Sequence, residues 1–289
     1  MLKIKTPAST SNLGPGFDCL GLALDLYNSF DVDLSETDEL IGVDEAFNNE
    51  NNLFLKAYHL GMKQIGLDDH VRVSFHAAVP VSRGLGSSST LIVGGLLAAS
   101  ALHNDALDKD HIFQLAAMME GHPDNAAPCV YGGFCASFKD EEGNFFTRTL
   151  TFSEDFKITL FIPDFEVETA NARRILPDVY PRKIAVANAS KAILTVKALV
   201  DGDLELLKKC AKDELHEPYR RTLISEYDEV KKLFIKDTDG VFLISGSGST
   251  CIGISRDYFE ESSALSALKH HWQVKEVSFT NKGAMAYEV

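Results

Sequence analysis

Thiols are scarce in this chain and positive charge is outnumbered. Five cysteines stand among 289 residues, at positions 19, 129, 135, 210 and 251. Their odd number and the lack of any C-x-x-C pair argue against a disulfide framework, and they read as reduced thiols of a cytoplasmic protein. Lysine and arginine total 28 against 42 aspartates and glutamates, a formal net charge of −14. That balance disfavours nonspecific nucleic-acid binding and adhesion to anionic membranes. An anionic ligand must then be held by local charge, backbone dipoles or a metal. Long hydrophobic runs are missing too. The longest, Leu91 to Leu102, is too short to span a bilayer and is interrupted by Gly94 and Gly95. The opening residues, Met-Leu-Lys-Ile-Lys-Thr-Pro, do not read as a signal peptide. No internal repeat or low-complexity segment appears. The chain is 45% hydrophobic and 24% charged, so it is globular, with material for one large domain or two ordinary ones.

Hydrophobic periodicity supplies the elements. Leu2 to Lys5 alternates as a strand, and an irregular loop of small polar residues follows from Thr6 to Asp18. Leu22 to Leu34 reads as a second strand. Asn52 can cap a helix over Phe54 to Ile65, and Val71, Val73 and Phe75 alternate in another strand. An apolar helix begins near Leu91, and a further helix runs from Asp108 to Glu120. Strands are predicted over Tyr131–Phe138, Phe145–Phe152 and Lys157–Ile162. Helices are predicted over Glu168–Leu176, Pro181–Leu199, Leu204–Lys212, Ser225–Ile235 and Tyr258–Lys269. Strands at Val241–Ile244, Thr250–Ser255, Val274–Phe279 and Ala284–Glu288 complete the chain. Strands mixed with helices through antiparallel connections predict an α+β fold with each sheet covered by helices on one side. The acidic Ser153-Glu154-Asp155 marks the expected boundary between a domain over 1–153 and another over 154–289.

The chemistry centres on Val79-Pro80-Val81-Ser82-Arg83-Gly84-Leu85-Gly86-Ser87-Ser88-Ser89-Thr90, which runs straight into the apolar helix. Glycines let a backbone turn and approach a ligand closely, and a helix start presents unpaired N–H groups and a positive dipole end. Together these make an anion site, phosphate above all. A serine cap on a buried helix is the plainer alternative. There is no Gly-Lys-Ser/Thr of a Walker loop, and Ser89 stands where a dinucleotide fold needs its third glycine. A phosphate loop without lysine needs Mg²⁺ to offset charge in phosphoryl transfer. Glu120, at a helix end before the polar turn Gly121-His122-Pro123-Asp124-Asn125, is the candidate carboxylate, an exposed helix end being the alternative. His122 lacks the second His or Cys of a zinc site.

Three ordered stretches carry a family resemblance: Pro7-Ala8-Ser9-Thr10-Ser11-Asn12-Leu13-Gly14-Pro15-Gly16-Phe17-Asp18, Arg83 to Ser89, and Ser245-Gly246-Ser247-Gly248. They resemble the three motifs of the GHMP small-molecule kinases. With Glu120 to Pro128, the first most resembles the homoserine kinase branch. The resemblance spans residue 3 to the C-terminus. It implies an N-terminal domain like ribosomal protein S5 and a C-terminal ferredoxin-like sandwich. It implies ATP and Mg²⁺, with Pro80, Arg83, Gly84, Leu85, Gly86, Ser87, Ser88, Ser89 and Thr90 around the phosphates and Asn52 near the adenine. Ser88 and Glu120 match metal ligands. Asn12, Asp18, His122 and Asn125, with Thr169, Arg173 and Arg220 of the second domain, match residues lining an amino-acid pocket. Ser245 to Ser249 becomes a wall of the site, where a hairpin turn is the alternative.

The implied reaction is phosphorylation of the L-homoserine hydroxyl, on the way to threonine, with Asp18, Glu120, Ser88, Asn125 and Arg173 as the catalytic set. Homoserine's carboxylate suits the planar fork of an arginine, and its ammonium and hydroxyl suit Asp18, Asn12 and Asn125. Other branches place an aspartate where Asn125 stands, and Asp124, as its neighbour in an extended segment, should point elsewhere. Direct in-line transfer without a dedicated base is therefore expected, with Asp18 orienting the hydroxyl or serving as the fallback base. A kinase of another small alcohol and a non-catalytic metabolite sensor stay open, as does a homodimer.

Overall fold

The computed structural model describes residues 1–260 and 262–288. Its first sheet grows from a long antiparallel pair, β1 (Leu2–Ser11) and β2 (Leu20–Ser35). Residues 6–11 are strand where the sequence predicted loop. Pro7 is accommodated because the register slips at Pro7/Ala8, where β2 passes from Tyr27 to Leu24 against one step of β1. Proline has no N–H for the ladder, and a bulge is a place where none is required. The irregular loop shrinks to the residues between the two strands. β4 (His70–His76) pairs with β2, and the short β3 (Glu39–Ile41) runs parallel to β4. β5 (Phe134–Lys139) pairs with the start of β2 and with β6 (Phe145–Leu150). The last strand, β11 (Met285–Glu288), returns to pair with β1, so the end of the chain belongs to the first sheet.

Four helices lie against this sheet: α1 (Leu53–Ile65), α2 (Ser87–Ala101), α3 (Lys109–Glu120) and α4 (Ala126–Tyr131). Phe30 and Val32 of β2 pack with Phe54 and Tyr58 of α1 and with Ala98 and Ala99 of α2. α2 is apolar around its circumference because it is buried on every side. Its paired glycines serve close packing, since a Cβ on Gly95 would lie 2.2 Å from the carbonyl oxygen of Phe54. The α4 helix replaces the start of the strand predicted from Tyr131. No helix among the described residues is long and apolar enough to cross a membrane.

The second sheet has the order β10–β7–β9–β8 and is antiparallel throughout, built from β7 (Lys157–Pro163), β8 (Val241–Ile244), β9 (Cys251–Ser255) and β10 (Trp272–Val277). The helices of this half are α5 (Thr169–Arg174), α6 (Arg182–Asp201), α7 (Leu204–Cys210), α8 (Glu217–Arg220) and α9 (Tyr227–Thr238). Phe161, Phe242 and Ile244 pack on Tyr227, Val230 and Phe234 of α9. On the other face Ile158, Leu160, Ile252 and Ile254 join Leu22, Leu24 and Leu26 of the first sheet and Leu199 and Leu207 of α6 and α7. The sheet is thus covered on both faces, not on one as expected. β7, β8 and β9 are buried along nearly their whole length, whereas the edge strand β10 exposes Gln273 and Glu276. The helix predicted over 258–269 includes residue 261, outside the described residues. Within that stretch Ser262–Ala267 forms a 3₁₀ turn.

The α8 segment is tied to β8 by Glu217, whose Oε1 accepts the Ile244 N–H at 2.8 Å. Burial pushes this carboxyl up to about 7, from an unfolded value of about 4.3. Between those values the folded state holds the extra proton, so this group favours folding at low pH, and that contribution is lost as pH rises through about 7. Glu217→Gln keeps the acceptor and removes the charge. The variant is expected to gain on the order of 2 kcal/mol relative to the unmodified protein between pH 5 and pH 8. Urea unfolding at the two pH values measures it, and an unchanged difference would refute it.

Candidate active site

A cleft of about 790 Å³ lies between the two halves, lined by Asn12 and Asp18 of the loop after β1, residues 81–84 and 86–88, Glu120, His122, Asp124 and Asn125, Thr169 and Arg173 of α5, Arg220 and Gly246–Ser247. The start of α2 forms part of its wall. Its N-cap is Gly86, with φ +67° and no side-chain cap, so the serine cap considered from sequence is not formed. The first helical bond runs from the Thr90 N–H to the Gly86 carbonyl. No protein acceptor takes the N–H groups of Ser87, Ser88 and Ser89 among the described residues. These are the orphan donors and dipole end an anion requires.

The glycines of this loop answer to the protein as much as to any ligand. A Cβ on Gly84 (φ +71°) would sit 2.1 Å from the Ser245 carbonyl, and one on Gly86 2.2 Å from Ser9 Oγ. Ser245 Oγ lies 2.7 Å from the Gly84 carbonyl, and the Thr250 N–H donates to the Arg83 carbonyl at 3.2 Å. The second glycine-serine turn therefore clamps the first across the domain junction. Ser88 faces the cleft and is exposed, whereas Ser89 is fully buried and donates to Glu120 Oε2 at 2.8 Å. Pro80, Leu85, Ser89 and Thr90, expected around the nucleotide, do not line the cleft. Leu85 is in the core, and Thr90 bonds the Ser87 carbonyl and Asn28. A helix start aims about one residue in two or three at any one side, which is why the whole run cannot face the ligand. Arg83 lines the wall and reaches the Asp164 carbonyl and Glu166.

Glu120 ends α3 beside these donors, and burial raises its carboxyl above the usual range. A desolvated carboxylate next to an open serine hydroxyl offers oxygens that would suit a divalent cation, and the free backbone N–H groups beside them would suit an anion. Farther along the cleft, Asn52 lines a slot with Phe47, Leu53, Val81, Leu91 and Met119. Both ends of the Asn52 amide are engaged. Oδ1 accepts the Phe54 N–H at 2.9 Å as the cap of α1, and Nδ2 donates to the Phe47 carbonyl at 3.0 Å. Asn52 thus shapes a mostly apolar slot fit for a flat ring.

Beside the α2 start, on the Asn125 side, the wall is polar. Asp18, at φ +55°, is gripped through both oxygens by Arg173, at 2.7 and 3.0 Å. This bidentate bond raises the Arg173 pKa. The Asp18 N–H donates to Asn12 Oδ1 at 3.1 Å, and Asn12 Nδ2 donates to the Gly246 carbonyl at 2.9 Å. Asn125 accepts from Ser9 Oγ at 2.8 Å and donates to Ser11 Oγ at 3.0 Å. Both amides therefore fix the end of β1 and its loop. Thr169 Oγ1 meets Ser247 Oγ at 3.3 Å.

Asp124 corrects the sequence reading. It lines the cleft and lies 2.6 Å from His122 Nδ1, and both stand close to Asp18. Its segment is a turn leading into α4, so the alternation of an extended strand does not apply. Burial works to raise the Asp124 carboxyl, but the bond and charge of His122 hold it below the usual range. Burial likewise opposes charge on His122, yet Asp124 and Glu120 carry it above its ordinary value.

Arg220 is 2% exposed. It donates from Nη1 to the Gly246 carbonyl at 2.9 Å and from Nε to the Ala172 carbonyl at 3.3 Å, and has no carboxylate partner among the described residues. Burial lowers it to about 10, so it stays charged at neutral pH. His216 Nε2 meets the Gly14 carbonyl at 3.0 Å, which leaves Nδ1 as the acceptor facing Arg220 Nη1. Phe17 stacks on His216 and stands 5.0 Å from the Arg220 guanidinium. Asp213 Oδ2 accepts three successive N–H groups, those of Leu215, His216 and Glu217. Phe17, His216 and Asp213 were not singled out from sequence. The Asp-Glu-Leu-His order carries the signal, because an Asp three residues before a helix start is a turn former.

Two sheets, a lysine-free glycine-serine loop at a helix start and a carboxylate beside it define a small-molecule kinase fold of two domains. Residues 52–133 match the model of the GHMP kinases N terminal domain, and residues 195–274 that of the GHMP kinases C terminal domain. The chain belongs to the GHMP kinase family. It is 38% identical to a homoserine kinase of Clostridium botulinum (strain Okra / Type B1), over 99% of this chain and 98% of that protein. It is 36% identical to one of Caldicellulosiruptor saccharolyticus, over 100% and 97%. The crystal structure of homoserine kinase from Cytophaga hutchinsonii superposes with a TM-score of 0.88 at 25% identity, covering 99% of this chain and 97% of that one.

Proposed function

We propose that this chain transfers the terminal phosphoryl group of ATP to the hydroxyl of L-homoserine, with Mg²⁺ held at Ser88 and Glu120. The full-length likeness to homoserine kinases supports the substrate class. The observation that carries the reading is Arg220, a buried cation lining the cleft without a carboxylate partner among the described residues. A buried charge costs stability unless something compensates it, and a substrate carboxylate does so with a planar fork. Asp18 and Asp124 then face the ammonium and the hydroxyl. The N–H groups of Ser87, Ser88 and Ser89 hold the phosphates. Mg²⁺ supplies charge neutralisation when bound. Arg173 holds Asp18 in place, and the transfer rests on positioning without a dedicated base.

The test offers purified protein Mg²⁺–ATP with homoserine, serine, threonine, mevalonate or galactose and measures ADP release. Release with homoserine above the other four is expected. Release with mevalonate alone would refute the substrate, and none with any alcohol would point to a metabolite-binding protein.

A further inference from the structure

Away from the cleft, three ligand-type side chains from three elements converge. Asp38 lies in the link between β2 and β3, His59 on α1, and His70 opens β4. One oxygen, Asp38 Oδ2, stands 2.7 Å from His59 Nε2 and 3.2 Å from His70 Nδ1. The three atoms all lie within 4.8 Å of one another. We propose that Asp38 Oδ2, His59 Nε2 and His70 Nδ1 bind one divalent transition-metal ion of the zinc class, pinning α1 to the β3–β4 edge of the first sheet.

The geometry fits the ion. Bonds of about 2.0–2.1 Å to nitrogen and oxygen in a tetrahedral site put neighbouring ligand atoms roughly 3.3 Å apart. Two imidazoles and one carboxylate suit Zn²⁺ and its neighbours, whereas Mg²⁺ prefers oxygen alone and belongs in the cleft. The carboxylate is already aimed, because Asp38 Oδ1 accepts the Val71 N–H at 3.1 Å and so turns Oδ2 to the imidazoles. His59 Nε2 is hydrogen-bonded to Asp38 Oδ2, whereas His70 Nδ1 is enclosed beside the same oxygen without a hydrogen bond of its own. Side-chain exposures of 24%, 34% and 44% for Asp38, His59 and His70 leave an entry path and room for water as fourth ligand.

Metal-free protein titrated with Zn²⁺ alone, beside the His59→Gln/His70→Gln variant, tests the site by calorimetry and by counting metal retained after gel filtration. The unmodified protein is expected to retain one more equivalent than the variant, and either single variant to bind at least about 100-fold more weakly. Zn²⁺ should raise the thermal midpoint through this site only in the unmodified protein. Equal stoichiometry and affinity in both proteins would overturn the proposal. So would loss of that equivalent in His122→Gln instead, which would place the ion in the cleft. If circular dichroism shows the double variant unfolded, Co²⁺ titration of the His122→Gln protein decides. Intense visible bands of four-coordinate Co²⁺ support the site, and only the faint bands of six-coordinate Co²⁺ overturn it.

Discussion

Glu120→Gln is expected to lower kcat with Mg²⁺–ATP and homoserine by about 10³-fold, roughly 4 kcal/mol of transition-state stabilisation. The substitution keeps the shape and an acceptor for Ser89, which lies 2.8 Å away and buried, so the fold should survive. What is lost is the negative charge that would hold a divalent cation against the phosphates. The chain offers no lysine in the 83–90 loop to take over. Helix N–H groups bind phosphate but carry only a partial charge, about half an elementary charge at the helix start. The loss should therefore fall on turnover, with the homoserine KM nearly unchanged, since Glu120 stands beside the helix start proposed to hold the phosphates. Raising Mg²⁺ should recover part of the rate if the ion is bound more weakly. Steady-state kinetics across a Mg²⁺ series measures this. A variant within tenfold of the unmodified kcat at low Mg²⁺ would remove Glu120 from the metal site.

Much of this site could be read from the chain because its logic is local. A helix start, its glycines and the carboxylate ending the next helix lie within short segments, and their spacing carries the pattern. The residues that escaped reading depend on contacts between distant segments. Gly84 needs to be glycine because the Ser245 carbonyl, 161 positions away, stands where its Cβ would be. Asn188 sits in the middle of α6 and looks like a surface residue, yet it is 2% exposed and donates to the Pro15 carbonyl at 2.9 Å. Pro7 reads from sequence as part of an irregular loop, because the bulge that tolerates it in a strand is set by Asp25 and Leu26 on the partner strand. Short helices also escaped: α4 and α8 have six and four residues, too few for a period to show. The apolar alternation of β7 and β9 was legible as strand, but not that both faces would be covered, since that follows from the first sheet packing on the second.

Asp18→Asn is expected to lower kcat/KM for homoserine by about 10²–10³-fold, with the KM for ATP nearly unchanged. Asp18 stands in a left-handed conformation that asparagine tolerates, and its N–H would still reach Asn12 Oδ1, so the loop should keep its shape. Asparagine has one acceptor oxygen, so the two-pronged bond to Arg173 at 2.7 and 3.0 Å cannot form. The guanidinium then loses its counter-charge and its fixed orientation at the mouth of the substrate end. The site also loses a carboxylate for the substrate ammonium and hydroxyl. Asn125→Ala is the useful contrast. Its amide bonds Ser9 and Ser11 at the end of β1, so its removal should misplace homoserine by loosening that strand end, at a cost of about tenfold. The two proteins should therefore differ by an order of magnitude or more in activity while both remain folded, which denaturant unfolding checks. Full activity in Asp18→Asn would show that Asp18 is neither base nor orienter. The His122–Asp124 pair, which also lines that part of the cleft, would then be the group left to hold the hydroxyl.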